Sequence, residues 1–197
     1  MKMTTGIIIG VIVLLTLAGV YTLMKKHKSV ENEAKNENVS KTEAQDNHYA
    51  GLRTQAINVT TEQLEIIIDD DKAVYGIVMD WNMGDVIVTV VSFKTGDASI
   101  YLSTGQVFIG GIAHETVINA SKNFVEVAVK HFEKAAKTDK IEPTNEAKVD
   151  FYFLTKSGKY YVDDFVSQIE NGKSELSELF TAGNGVITEY RLVTEEE

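Results

Sequence analysis

The 197-residue sequence predicts an α+β fold: a single N-terminal transmembrane helix, then a mainly antiparallel sheet with two to three packed helices. Three observations predict it. Residues 6–24 are an unbroken, uncharged apolar run. Residues 73–109 alternate β-rich stretches with turns of a few residues, and turns that short join antiparallel neighbours, because a parallel crossover needs a dozen or more residues. Residues 114–137 carry a sustained i, i+3, i+4, i+7 apolar stripe, the pattern of a helix laid on a sheet. Strands grouped in runs, rather than alternating with helices, argue against a parallel doubly wound sheet.

The first element is GIIIGVIVLLTLAGVYTLM, Gly6 to Met24. At about 1.5 Å per residue a helix of this length spans roughly the 30 Å hydrocarbon core. Lys25, Lys26 and Lys28 stop it, and Tyr21 stands where an interfacial aromatic is expected. A cleaved signal peptide has a shorter core followed by small residues, whereas Met24-Lys25-Lys26-His27-Lys28 follows here. Leu17-Ala18-Gly19-Val20 lacks the cysteine of a lipoprotein signal. The expectation is an uncleaved single-pass anchor that contacts the lipid bilayer through residues 6–24. The lysine flank favours a cytoplasmic C-terminal domain, although anchor, spacer and domain is also the layout of many proteins exported to the outer face. Gly6 and Gly10 form a G-x-x-x-G pair, through which a homo-oligomer could assemble.

Three segments follow from composition: the anchor with its basic flank at 1–28, a disordered acidic spacer at 29–48, and a globular domain at 49–197. The spacer is rich in Glu, Asn, Lys and Ser and too polar to offset chain entropy by burial. All 29 acidic residues follow residue 28, whereas 4 of the 19 basic ones precede or end the anchor segment, which leaves a formal charge of −14 beyond it. Such a surface excludes generic nucleic-acid binding, which depends on clustered Lys and Arg. With no cysteine there is no disulfide, no thiolate metal site and no cysteine nucleophile.

Within the domain, Thr60 and Gln63 have capping-box spacing and predict a short helix to about Ile68, although Ile66-Ile67-Ile68 would equally suit a strand, and Asp69-Asp70-Asp71 closes the element. Strands are expected over 73–81, 86–93, 99–102 and 106–109, separated by Asn82–Asp85, Lys94–Asp97 and Ser103–Gly105. The helix over 114–137 turns Val117, Ser121, Phe124, Ala128, Phe132 and Ala135 inward. A second hairpin pairs Lys148–Thr155 with Tyr160–Val162, with Val149, Phe151 and Phe153 on one face and Asp150, Tyr152 and Leu154 on the other. Asp163 or Asp164 can cap a helix that Asn171-Gly172 interrupts, and its stripe resumes at Leu176, Leu179 and Phe180 before Ala182-Gly183-Asn184-Gly185. This element order resembles that of profilin-like and roadblock-like modules, by topology only.

Candidate chemistry centres on Ser103–Glu115, STGQVFIGGIAHE, where glycines and hydroxyls precede a helix N-terminus that can hold an anion. Thr104, Gly105, Gly110 and Gly111 are the candidate ligand-contacting residues. Gly105 and Gly110 have P-loop spacing, but Gly111 and Ile112 replace the lysine and the hydroxyl that bind phosphate and magnesium. His114-Glu115 opens like a zinc H-E-x-x-H motif, yet Ile118 stands at the second ligand position. A catalytic reading would use Ser103, His114 and Glu115, although Ser103 lacks the G-x-S-x-G frame. No metal site and no cofactor is expected. The expected role is a membrane-tethered, non-enzymatic module that binds a protein partner or a small ligand. The alternative is a membrane-anchored hydrolase that uses loop 103–115.

Overall fold

The computed structural model describes residues 38–195. In chain order it has α1 (Asn38–Ile57), β1 (Gly76–Asn82), β2 (Ile87–Phe93), β3 (Ala98–Leu102), β4 (Val107–Phe108), α2 (Glu115–His131), β5 (Ala136–Thr138), β6 (Lys148–Thr155), β7 (Gly158–Phe165), α3 (Val166–Glu170) and α4 (Ser177–Glu195). The fold is α+β, with one seven-stranded sheet in the order β4-β3-β2-β1-β6-β7-β5. Every neighbouring pair is antiparallel. Among the described residues no helix is long and apolar enough to cross a membrane. The expected anchor at 6–24 and the Gly6–Gly10 pair lie outside the described residues.

Strand alternation sends side chains to two faces. On one face Ile77, Met79 and Trp81 of β1, Val88 and Val90 of β2, and Phe151 and Phe153 of β6 meet Phe124 and Ala128 of α2 and Leu179, Phe180 and Val186 of α4. Trp81 and Phe180 meet edge to face with ring centroids 5.1 Å apart, a geometry that adds about 0.5–1.5 kcal/mol to burial. On the other face Val78, Val91, Tyr152 and Leu154 meet Tyr49, Ala56 and Ile57 of α1. The sheet is therefore sandwiched between helix layers.

Several elements differ from the sequence expectation. Helix α1 begins at Asn38, within the stretch expected as spacer, and continues past Tyr49 into the domain. Its buried positions Tyr49, Arg53, Ala56 and Ile57 have helical spacing. The Thr60–Gln63 capping box forms, with Gln63 Oε1 accepting from the Thr60 N–H at 2.9 Å and Thr60 Oγ1 accepting from the Gln63 N–H at 3.3 Å. It closes one turn rather than a helix, because Glu65 adopts φ 55°, a left-handed conformation that ends helical propagation. Helix α2 stops at His131 and is followed by a single 3-10 turn, after which residues 136–138 pair with β7 as a sheet edge. Phe132 still packs on Tyr160 and Phe153, so the stripe persists although the α-helix does not.

Asp163 and Asp164 cap nothing, because β7 runs through both, opposite Asp150 and Val149, and Phe165 precedes α3 instead. Ala182-Gly183-Asn184-Gly185 is interior to α4 rather than a terminus. Gly183 lets α4 approach the sheet: a Cβ there would lie 2.7 Å from Met79 Sδ.

Candidate functional site

The loop singled out in the sequence is held by its own backbone and by α4. Ser103 is half-buried, and its Oγ accepts from the Ile87 N–H at 2.9 Å while its own N–H donates to the Ile87 carbonyl. Thr104 is exposed in the turn, and Gly105 supplies the φ of +92° that turns β3 into β4. Gly110 is exposed at φ +84°. Gly111 is buried, and its N–H donates to Tyr190 Oη at 3.0 Å, while the Tyr190 hydroxyl donates to the Ala98 carbonyl at 2.5 Å. A Cβ at Gly111 would lie 2.5 Å from that hydroxyl. This amide is therefore committed to packing α4 on the sheet. Burial raises the Tyr190 pKa to about 12, so the phenol stays a donor.

His114 is half-buried at the N-cap of α2 and makes no side-chain cap bond, and Glu115 follows, exposed, in the first turn. No hydrogen bond joins Ser103, His114 and Glu115 among the described residues. His131 lies at the far end of α2, with Nε2 3.5 Å from Glu178 Oε2. Among the described residues no group of three or more His, Asp or Glu side chains is placed to hold a metal ion.

The sheet face under α1 brings together residues far apart in sequence. Asp80 and Asp150 are directly opposite on β1 and β6, and their side chains are almost fully buried. Arg53 grips Asp80 through Nε at 3.1 and 3.0 Å and through Nη2 at 2.6 Å. Thr89 donates to Asp80 at 2.5 Å and shares a hydrogen bond with the Tyr49 hydroxyl at 2.8 Å. Asp150 accepts from the Thr144 N–H and the Tyr161 hydroxyl, both at 2.7 Å. Burial, the largest cause, raises the Asp150 pKa against those two bonds, and the charge of Asp80 adds to the rise. Burial and the charge of Asp150 also raise the Tyr161 pKa and keep its hydroxyl a donor. Two facing carboxylates resemble an acid–base couple, but Asp80 is saturated by Arg53 of α1 and by Thr89, and Asp150 is held by the Thr144 N–H and the Tyr161 hydroxyl. This arrangement docks a helix.

An open site lies on the opposite face. A groove of about 610 Å³ runs between α2 and the 70–74 loop. Its apolar wall is formed by Val74, Val125, Val129 and Phe132, and Lys72, Lys94, Lys122, Asp70 and Glu126 are the charged groups lining it. Val129 is 54% exposed, an uncovered apolar side chain within a concavity. The loop is pinned by bonds from Ala73 N–H to the Asp70 carbonyl and from Ser157 N–H to the Asp71 carbonyl. Lys94 is placed by its own N–H, which donates to the Tyr75 carbonyl at 2.8 Å. Ser121 ties α2 to the same end of the sheet through the Asp97 carbonyl at 2.8 Å. None of the three lysines enters an ion pair among the described residues, whereas the Asp70 carboxylate already accepts from the Lys72 N–H at 2.9 Å.

The groove was not among the sequence candidates. The inward stripe of the 114–137 helix, Val117 to Ala135, leaves out Lys122, Glu126 and Val129, so the pattern gave no sign of a groove on that side. No family model matches the chain, and neither the curated proteins nor the solved structures hold a significant match to it.

Proposed function

We propose that this chain is a membrane-tethered, non-enzymatic module that binds its ligand in the groove between α2 and the 70–74 loop. The observation that carries the reading is the groove itself, a concavity of ligand size with an apolar wall and three lysines that enter no ion pair among the described residues. Small-molecule sites are mostly apolar, with a few placed polar groups and volumes of roughly 300–1,000 Å³. The tether is the apolar run 6–24, with its C-terminal lysine flank favouring a cytoplasmic domain. The likeness of element order to profilin-like and roadblock-like modules is topological and assigns no role. The hydrolase alternative would require Ser103 to exchange its bond with Ile87 for one with His114, and no observation favours that.

Two measurements on the full-length protein in its own membrane test the reading. Alkaline carbonate washing is expected to leave it in the pellet; release into the supernatant sinks the tether. A photoreactive side chain introduced as Val129→p-benzoylphenylalanine is expected to form a discrete adduct that Glu170→p-benzoylphenylalanine, on an exposed position of α3, does not. The same adducts from both positions, or none from either, would sink the binding site.

A further inference from the structure

We infer that the ligand of this groove is a long-chain carboxylic acid, its headgroup held by Lys72, Lys94 and Lys122 and its chain laid along Val125, Val129 and Phe132. The inference rests on the binding reading above and names the chemical class of its ligand. Charge carries the first step. Beyond residue 28 the chain is strongly acidic, yet three lysines that enter no ion pair among the described residues converge on this one concavity. Their gathering is built in: the Lys122 stem lies across Gly96, where an added Cβ would meet its Cε at 3.2 Å, and Gly96 is two residues from Lys94. Asp70, which accepts one backbone amide, and Glu126 line the groove as well, so three lysines face two carboxylates and leave one net positive charge. The site thus favours an anion of low charge over a polyanion.

Shape carries the second step. From Lys122 to His131 the α2 wall rises about 13 Å at 1.5 Å per residue, with Val125 and Val129 on it and Phe132 just beyond, a track on which one alkyl chain can lie past Glu126. An extended peptide would need unpaired backbone groups to pair with, and neither sheet edge, β4 or β5, lines the groove. A bilayer at the tether would supply such an acid at high local concentration.

The full-length protein in phosphatidylcholine nanodiscs is exposed to a diazirine derivative of palmitic acid or to its methyl ester, and adducts are mapped by peptide mass spectrometry. The acid is expected to label the 73–74 and 125–132 peptides over the ester by about tenfold, the ratio that a few exposed ion contacts together supply. The triple variant Lys72→Gln, Lys94→Gln, Lys122→Gln should lose that preference, and Val129→Glu should lose groove labelling altogether. Both change exposed side chains, and unchanged emission from Trp81, buried in the core, verifies their folding. Equal labelling by acid and ester, or labelling confined to residues 6–24, overturns the inference. If Val129→p-benzoylphenylalanine instead captures a protein or the chain's own acidic N-terminal segment while the acid leaves the groove unlabelled, the binding module stands and the acyl ligand falls.

Discussion

The two faces of the sheet are closed by different physics. Against α2 and α4 the contact is apolar, with Trp81, Phe124, Phe151, Phe153 and Phe180 all buried. Burial of such side chains stabilises without direction, at about 1.5–3 kcal/mol each. On the α1 side the same sheet carries Asp80, Thr89 and Asp150, and the helix docks on the first two through Arg53 and Tyr49 as well as through Ala56 and Ile57. Ion pairs of this kind add little net stability over an apolar substitute, because desolvation offsets their attraction, but they penalise every position of the helix that leaves a charge unpaired. One face therefore supplies adhesion and the other supplies register. The groove of Val129 opens beside the adhesive face, where packing of α2 on the sheet holds its wall.

The contrast breaks most visibly at Arg53 and Phe124. Arg53→Leu leaves Asp80 buried and unpaired opposite Asp150 and should cost about 3–5 kcal/mol, read as the urea midpoint of Trp81 emission. Phe124→Ala should cost a similar ~3–5 kcal/mol through its cavity. The two differ in their response to pH: the Arg53→Leu deficit should narrow in acid as Asp150 takes up a proton, while the Phe124→Ala deficit stays constant. Matching pH profiles would show that the faces are not distinct. A smaller loss, about 1–3 kcal/mol from overpacking, is expected for Gly111→Ala, whose new methyl meets the Tyr190 hydroxyl. An unchanged midpoint there would free the 110–114 loop from its packing role and return it to the list of ligand-contacting segments.

The smallest effect has the opposite sign. The raised Asp150 pKa means that the native state holds this proton more tightly than the unfolded chain does. The resulting contribution is fully present below the ordinary carboxylate range and is lost as pH rises through the folded-state pKa. Asp150→Asn keeps an acceptor for the Thr144 N–H and a donor for the Tyr161 oxygen while removing the charge. It should therefore stabilise the protein at neutral pH, by less than either truncation costs, and the gain should shrink in acid. A neutral-pH loss in the same unfolding titration would show that the charge is needed.

Much of the fold was legible because its signals are local. Asn82–Asp85 and Lys94–Asp97 announced antiparallel hairpins, and Val149, Phe151 and Phe153 announced a buried face by simple alternation. Helix α1 escaped because its inward stripe contains Arg53, a charge that reads as solvated until Asp80 is placed 2.6 Å away. Residues 136–138 read as a continuing helix because nothing nearby reveals that β7 offers an unpaired edge. Ala182–Gly185 read as a helix end because small residues usually are one; here they let a helix approach Met79.

Of the candidate loop, its turns at Gly105 and Gly110 were legible, since a positive φ is a property of one residue. The commitment of Gly111 to Tyr190 was not, because that partner lies far along the chain. Hydrophobic period, turn chemistry and composition, all functions of neighbouring residues, were enough for the α+β class, most strands and the acidic surface. The strand order, the clamp of Arg53 on Asp80 and the convergence of Lys72, Lys94 and Lys122 on one groove were decided in three dimensions. Each depends on which distant segments come to lie side by side, and that is set by the packing of the whole sheet rather than by any stretch of sequence.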